Sequence, residues 1–384
     1  MKNTCFILSI VIICSCNKDS DNSIKPSNTK LIGVGTLLGG SVFTIYEDGS
    51  NPEKWVDFDY TNGKDPVGSL VESNGKYWGM TLTDEVEGWG VIYSIDLNGQ
   101  GYTEVHNFDY SQGSPKGSLI ESNEKLWGMT WGGSNNNGII FNMDVDGTNF
   151  VKVHEFDGVN GSHPTGSLVE FNGKLWGMTG EGGSYDVGVI FNLDMDGTNY
   201  EKLHDFDVTN GANPFSNLLA HKGKLWGMTS RGGVAHDTYS GGVIFSLDMN
   251  GINFMKVHDF DITNGSYPQG GLVMSNNKLW GLTTFGGSDN SGVIFSLDVE
   301  ETIGYTKIHD FELNNGGRPY GSLVESNSNL YGIRSDTPSN SPDRIYGRIF
   351  KLHNDGTNFS IVYDLDPHTM GGEPSGSLIA VPIK

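Results

Sequence analysis

From residue 31 onward the chain is a succession of short apolar runs bounded by Gly, Asn, Asp or Pro, and the same four runs return in the same order. The unit is clearest at 166–207, which reads GSLVE, then FNGKLWGMTGEGG, then GVIFNLDMDGTNYEKLHDFD. We label its runs a to d. Run a is a Leu-Val type at Leu70, Leu119, Leu168, Leu218, Leu272, Leu323 and Leu378, usually preceded by Gly-Ser. Run b centres on Trp78, Trp127, Trp176, Trp226, Trp280 and Tyr331, each followed by Gly, with a degenerate first copy at Leu31-Ile32-Gly33. Run c is the Val-Ile-Phe type, ending at Phe43, Tyr93, Phe141, Phe191, Phe245, Phe295 and Phe350. Run d carries His106, His154, His204, His258 and His309 and closes on Phe-Asp or a relative.

Short β-branched and aromatic runs between turn formers predict strands. No window sustains a helical period. The a–b links (Ser-Asn-Gly-Lys) and the c–d links (Asp-x-Asp-Gly-Thr-Asn) supply the Asn-Gly and Asp-Gly of tight hairpins, and the b–c links are longer and carry Gly-Gly. Four-stranded units recurring about every 50 residues predict an all-β, seven-bladed propeller. The array starts at run b and ends at run a. The C-terminal a strand is therefore expected to complete the sheet of the N-terminal b, c and d strands, leaving no free edge. An open β-solenoid is the alternative, and the split unit counts against it because a solenoid needs caps.

The a-to-d order resembles the kelch blade, with a innermost. More specifically, the units Asn-Pro or His-Pro-x-Gly-Ser-Leu-Val, Lys-Leu-Trp-Gly-Met-Thr-x-x-Gly-Gly, Gly-Val-Ile-Phe-x-Leu-Asp and Leu-His-Asp-Phe-Asp resemble the GloVer tandem repeat of bacterial secreted and surface proteins. The resemblance covers 31–384 and departs at the first b run, at Ser216-Asn217 and around 334–346. It implies an envelope location and no defined reaction.

The N-terminus agrees with that address. Lys2 precedes an apolar stretch at 6–13, too short to span a bilayer, which ends in Ile13-Cys14-Ser15-Cys16. This resembles a lipobox, which implies cleavage before Cys16 and lipidation of its thiol. The expected division is a signal peptide at 1–15, a polar tether at 16–30 and a propeller at 31–384, held at the outer membrane without a spanning helix, with exposure at the cell surface one of the orientations left open. All three cysteines lie in the first 16 residues, which leaves no disulfide framework and no Cys metal site. A net charge of −22 argues against a phosphate-backbone partner, which would need clustered Lys and Arg. The expected partner is a glycan or a surface protein, and the protein is expected to be a monomer.

Repeated residues read as framework. The tryptophans read as packing between sheets, with the following Gly letting backbones approach. The five run-d histidines lie on five different blades, so a shared metal is not expected; a bond to the d–a turn is. The turns at Asp144-Val145-Asp146-Gly147 and Asp194-Met195-Asp196-Gly197 begin like a calcium loop but lack its later acidic ligand, and a tight Asx turn accounts for them. No cofactor is expected, with calcium the one candidate.

Residues that differ between copies are the candidate ligand contacts. Strand direction predicts that the d–a and b–c links share one face, with the d–a links at the channel mouth. They supply Asp65, Lys116, His163, Asn213, Tyr267, Arg318 and Tyr320, and the b–c links add Trp131, Arg231 and His236. Aromatic rings beside amide, acid and guanidinium groups suit a sugar. The leading expectation is a non-catalytic binding lipoprotein. A polysaccharide lyase or hydrolase at the channel mouth, with His163 or His236 as base and Arg318 or Lys116 as the carboxylate-neutralising cation, is the second. A scaffold without a small ligand is the third.

Overall fold

Runs b and c are buried along almost their whole length, so their strands must be covered on both faces, and the chain does so by stacking sheets. The computed structural model describes residues 29–83, 88–234, 241–299, 304–312, 317–335, 346–366, 370, 374 and 376–383. Within them lie seven antiparallel sheets, each a meander of runs a, b, c and d. Blade 1 joins the two chain ends: Ile379–Pro382 pairs with Thr29–Gly35, followed by Ser41–Tyr46 and Glu53–Asp57. Leu31 sits opposite Ala380 and Ile32 opposite Ile379. The ring is closed, so the open solenoid is excluded. The first strand begins at Thr29, two residues before the expected boundary.

Blade 2 comprises Lys64–Ser73, Lys76–Thr83, Val91–Asp96 and Thr103–Asn107; blade 3 comprises Ser114–Ser122, Lys125–Trp131, Ile139–Asp144 and Val151–Glu155. Blades 4 to 7 follow the same plan. In blade 4, run a is broken into Ser162–Pro164 and Val169–Phe171, both paired to the same b strand.

The core lies between blades. Trp127 and Met129 of blade 3 pack with Leu168, Leu175 and Phe191 of blade 4, and the next interface repeats this with Trp176, Leu218, Leu225 and Phe245. The indole N–H of Trp78, Trp127, Trp176 and Trp280 donates to a backbone carbonyl five residues earlier, Trp127 to Ser122 at 3.2 Å, whereas that of Trp226 is buried without a partner among the described residues. The glycine after each tryptophan has a different role from the expected one. A Cβ on Gly177 would lie 2.5 Å from Cζ of Phe191, so the glycine makes room for the run-c aromatic ring on the neighbouring strand rather than for a backbone.

The expected bond of the run-d histidines to the d–a turn is made by His106 but not by His154, whose Nε2 is buried without a hydrogen-bond partner among the described residues. His106 Nε2 lies 3.0 Å from Gln112 Oε1 in the d–a turn. Each of the five also lies flat on an aromatic ring of the next blade, His106 on Phe150 and His258 on Tyr305. The c–d aspartates are engaged by protein donors. Asp146 Oδ1 accepts from the Thr148 N–H and hydroxyl, and Asp144 accepts from Lys125 and Asn149. Among the described residues no group of three or more His, Cys, Asp or Glu is placed to hold a metal.

Candidate axial funnel and rim

The innermost strand does not run straight. In blade 3, Lys116 is opposite Met129 but Ile120 is opposite Trp127, so four residues of run a span what two residues of run b cover. The surplus, Gly117-Ser118, is pushed toward the axis; blade 2 does the same between Val67 and Val71. This is a bulge of two extra residues that re-aims a strand at the ring centre.

Repetition turns the bulge into a ring. A Cβ on Gly68 would strike the carbonyl oxygen of Gly117, one on Gly117 that of Gly166, and one on Gly376 that of Gly68. Only glycine allows so close a passage beside the axis. The next residue links neighbours by hydrogen bonds. The Ser69 N–H donates to Ser118 Oγ at 2.8 Å, Ser118 N–H to Ser167 Oγ at 2.7 Å, and Ser167 N–H to Asn217 Oδ1 at 2.6 Å. The Gly271 and Ser322 N–H groups continue it to Ser322 Oγ and Ser377 Oγ. Gly271 has no side chain to give, and the longer Asn217 stands beside it.

Around this ring opens a funnel of about 820 Å³, lined from all seven blades. Asp65, Lys116, Tyr267 and Tyr320 line it, with Thr165, Phe215 and Gln269 between them. The expected position of the d–a links at the mouth holds for these residues. Asp65 lies 3.7 Å from Lys64. The Lys116 side chain makes no ion pair or hydrogen bond among the described residues, and burial pushes its amine below the usual lysine range.

Other candidates sit on the rim. His163, Asn213, Tyr267 and Arg318, each before a proline, have φ of 53°, 51°, 57° and 65°. Their N–H groups explain this strained conformation. Each donates to a carbonyl of the preceding blade, His163 to Asn137 at 2.8 Å and Arg318 to Ser291 at 2.9 Å. The Asn213 side chain donates to Gly180 O, so it serves the frame. Arg231 lies over the Tyr267 ring and Arg318 over Phe285. His163 and Trp131 are stacked, 4.5 Å between centroids, and His163 Nδ1 lies 2.7 Å from Glu181 Oε2. The indole remains 40% exposed. Thus His163, Asn213, Arg318, Trp131 and Arg231 are not among the funnel-lining residues, while His236 and Cys16 lie outside the described residues. Sequence reasoning missed Ser118, Ser167 and Asn217, because Gly-Ser repeats and was read as frame, and it missed Glu181.

The fold recurs in solved structures. The periplasmic gluconolactonase of Pseudomonas aeruginosa superposes with a TM-score of 0.62 at 10% identity, covering 93% of this chain and 99% of that one. A Lactobacillus plantarum protein gives 0.57 at 13% identity, with 92% and 99% covered. An oligogalacturonate lyase in complex with manganese gives 0.50 at 12% identity, with 88% and 87% covered. At such identities the likeness is one of fold alone. None of the curated proteins matches the sequence. The model of the Gloeobacter/Verrucomicrobia repeat matches residues 20–179, 131–342 and 235–382. With the repeat matched along nearly the whole ring, the chain belongs to the Gloeobacter/Verrucomicrobia repeat family.

Proposed function

We propose that this is a lipid-anchored extracytoplasmic binding protein that takes a glycan into the axial funnel and performs no chemistry on it. One observation carries the reading. Phe215, Tyr267 and Tyr320 share a single cavity with Lys116, Asp65, Gln269 and a ring of serines. Flat rings serve the apolar faces of sugars, and amide and hydroxyl groups serve their hydroxyls.

The anchor fits this arrangement. Thr29 is flanked by the c–d turn, where Glu47 N–H donates to its carbonyl, and by the a–b turn, where Asn327 reaches its hydroxyl. The chain thus enters the ring at the tight-turn end, opposite the funnel. A thioether-linked lipid on Cys16 would hold that end toward the membrane and leave the funnel facing outward.

An enzyme is the second reading, and the observation for it is the His163–Glu181 pair, since a carboxylate on one imidazole nitrogen orients the other as a base. That other nitrogen, Nε2, is buried, and His163 does not line the funnel.

The test is a glycan array probed with the full chain in detergent, followed by product analysis on each hit. Binding with the glycan recovered intact is the expected result. New chain ends in a hit would overturn the non-catalytic reading, and an array without any hit would overturn the glycan reading. Palmitate labelling of wild type but not of Cys16→Ala is expected; equal labelling would overturn the anchor.

A further inference from the structure

Between the funnel wall and the rim beside it, blade 3 has a chemistry the other blades lack. In blade 3, Ser114 is opposite Trp131, Pro115 opposite Thr130 and Lys116 opposite Met129. Lys116 and Trp131 are therefore diagonal neighbours on one face of the sheet, a relation that long side chains can bridge. That face looks at blade 4, where Met129 packs with Leu168 and the Trp131 ring meets His163. The same two positions hold Val67 and Leu82 in blade 2, and Thr165 and Gly180 in blade 4. No other blade joins a cation to an indole there.

The two groups are left in complementary states. Lys116 lines the funnel, half-buried, and makes no ion pair among the described residues. Asp65, the acid of the same cavity, lies beside Lys64. A desolvated cation without a partner is unfavourable, and an anion carried in by a ligand relieves it. Trp131 is backed on one side by His163, which Glu181 holds through Nδ1, while the indole stays partly open to solvent. A platform fixed from behind loses little freedom when a sugar ring is laid on it.

We propose that Lys116 and Trp131 form a subsite for an acidic sugar, whose ring lies on the indole and whose carboxylate meets the ammonium. The ligand class is then a uronate-containing oligosaccharide. This deepens, and rests on, the glycan reading above. His163 and Glu181 are positioning residues for the indole. With a net charge of −22, the protein as a whole repels an anionic polymer, so the discrimination is local. It is best measured at physiological salt, where a screening length of about 8 Å suppresses the distant charges.

The experiment is calorimetric titration of the full chain in detergent with oligogalacturonate and oligomannuronate, and with the same oligomers after reduction of their carboxylates to alcohols. Free acids are expected to bind at least about tenfold tighter than the reduced forms, Lys116→Gln to abolish that difference, and Lys116→Arg to preserve it. Trp131→Ala is expected to weaken both forms. Circular-dichroism melting checks each variant, and Lys116→Met replaces Lys116→Gln if the latter does not fold. Equal affinity for acid and reduced forms, or a preference untouched by Lys116→Gln, overturns the subsite and leaves the glycan reading standing. An array on which no oligosaccharide of any charge binds overturns the glycan reading itself.

Discussion

The imidazole of His154 lies flat against the ring of Tyr200, 3.9 Å between centroids and 5° from parallel, and the two residues belong to neighbouring blades. The Tyr200 hydroxyl also donates to the Asn160 carbonyl at 2.6 Å, in the turn that follows the His154 strand. The outer edge of the ring is thus held by side chains across a boundary that no backbone ladder crosses. Burial pushes His154 below its ordinary value, as it does His106, His204, His258 and His309. Unfolded, each titrates near 6.5. Between the two values the unfolded chain binds the extra proton, so stability falls as pH drops through that window and is flat above it. Each histidine contributes at most about 1.4 kcal/mol per pH unit there. The melting temperature is expected to fall between pH 7.5 and 5.5, and His154→Phe, which keeps a ring to stack, is expected to make that fall shallower. The lowered carboxyls of Asp109 and Asp157, held by Ser111 and Asn160, add a separate loss only below about pH 3.8.

The run-b glycine makes a sharper prediction. Gly177→Ala puts a methyl 2.5 Å from Phe191 Cζ inside a buried strand pair. Overpacking of this kind destabilises by about 1–3 kcal/mol. In urea unfolding, Gly177→Ala is expected to fall in that range, and Phe191→Leu in the same chain to recover part of it. Strict additivity of the two changes would contradict the steric account.

The seam of the ring can be opened from one end. Removal of residues 379–384 deletes the a strand of blade 1 and exposes the edge at Leu31 and Ile32, both buried in the closed ring. An unpaired apolar edge invites pairing with another chain. Light scattering is expected to show self-association of the truncated protein at concentrations where the full chain stays unassociated, while removal of 383–384 alone leaves it unchanged.

Calcium is expected to leave the fold untouched. Asp144 is already engaged by Lys125 and Asn149, and Asp146 by Thr148. An ion bound at 100 times its dissociation constant would add about 2.7 kcal/mol. Melting in millimolar calcium and in chelator is expected to coincide within about 1 °C, and a larger upward shift with calcium would mean that the ion displaces those donors.

The blade plan was legible because period and turn chemistry agree. Asn-Gly and Asp-Gly sit where hairpins need positive φ, and runs b and c are the short continuous apolar runs of strands buried on both faces. Ring closure was legible for a topological reason: the chain starts at run b and ends at run a. The site was less so. Comparing copies drew attention to Asp65, Lys116, Tyr267 and Tyr320, which do line the funnel. The same comparison grouped them with Asn213 and Arg318, whose N–H groups reach back to the preceding blade. It also passed over Ser118 and Ser167, because a residue repeated in nearly every copy looks like frame even when its hydroxyl faces the axis.

By itself, the sequence determined what depends on neighbours along the chain: strand, turn, period and the pairing of the two ends. Tertiary structure decided what depends on neighbours across the ring. The bulge that turns Gly117-Ser118 inward, the stack of His154 on Tyr200, and the bracing of Trp131 by His163 and Glu181 all join residues of different strands or blades. The stack and the bulge recur with the repeat, but the stacked partners lie a whole blade apart in the sequence, and which side chains meet across that gap is set by packing rather than by chain connectivity.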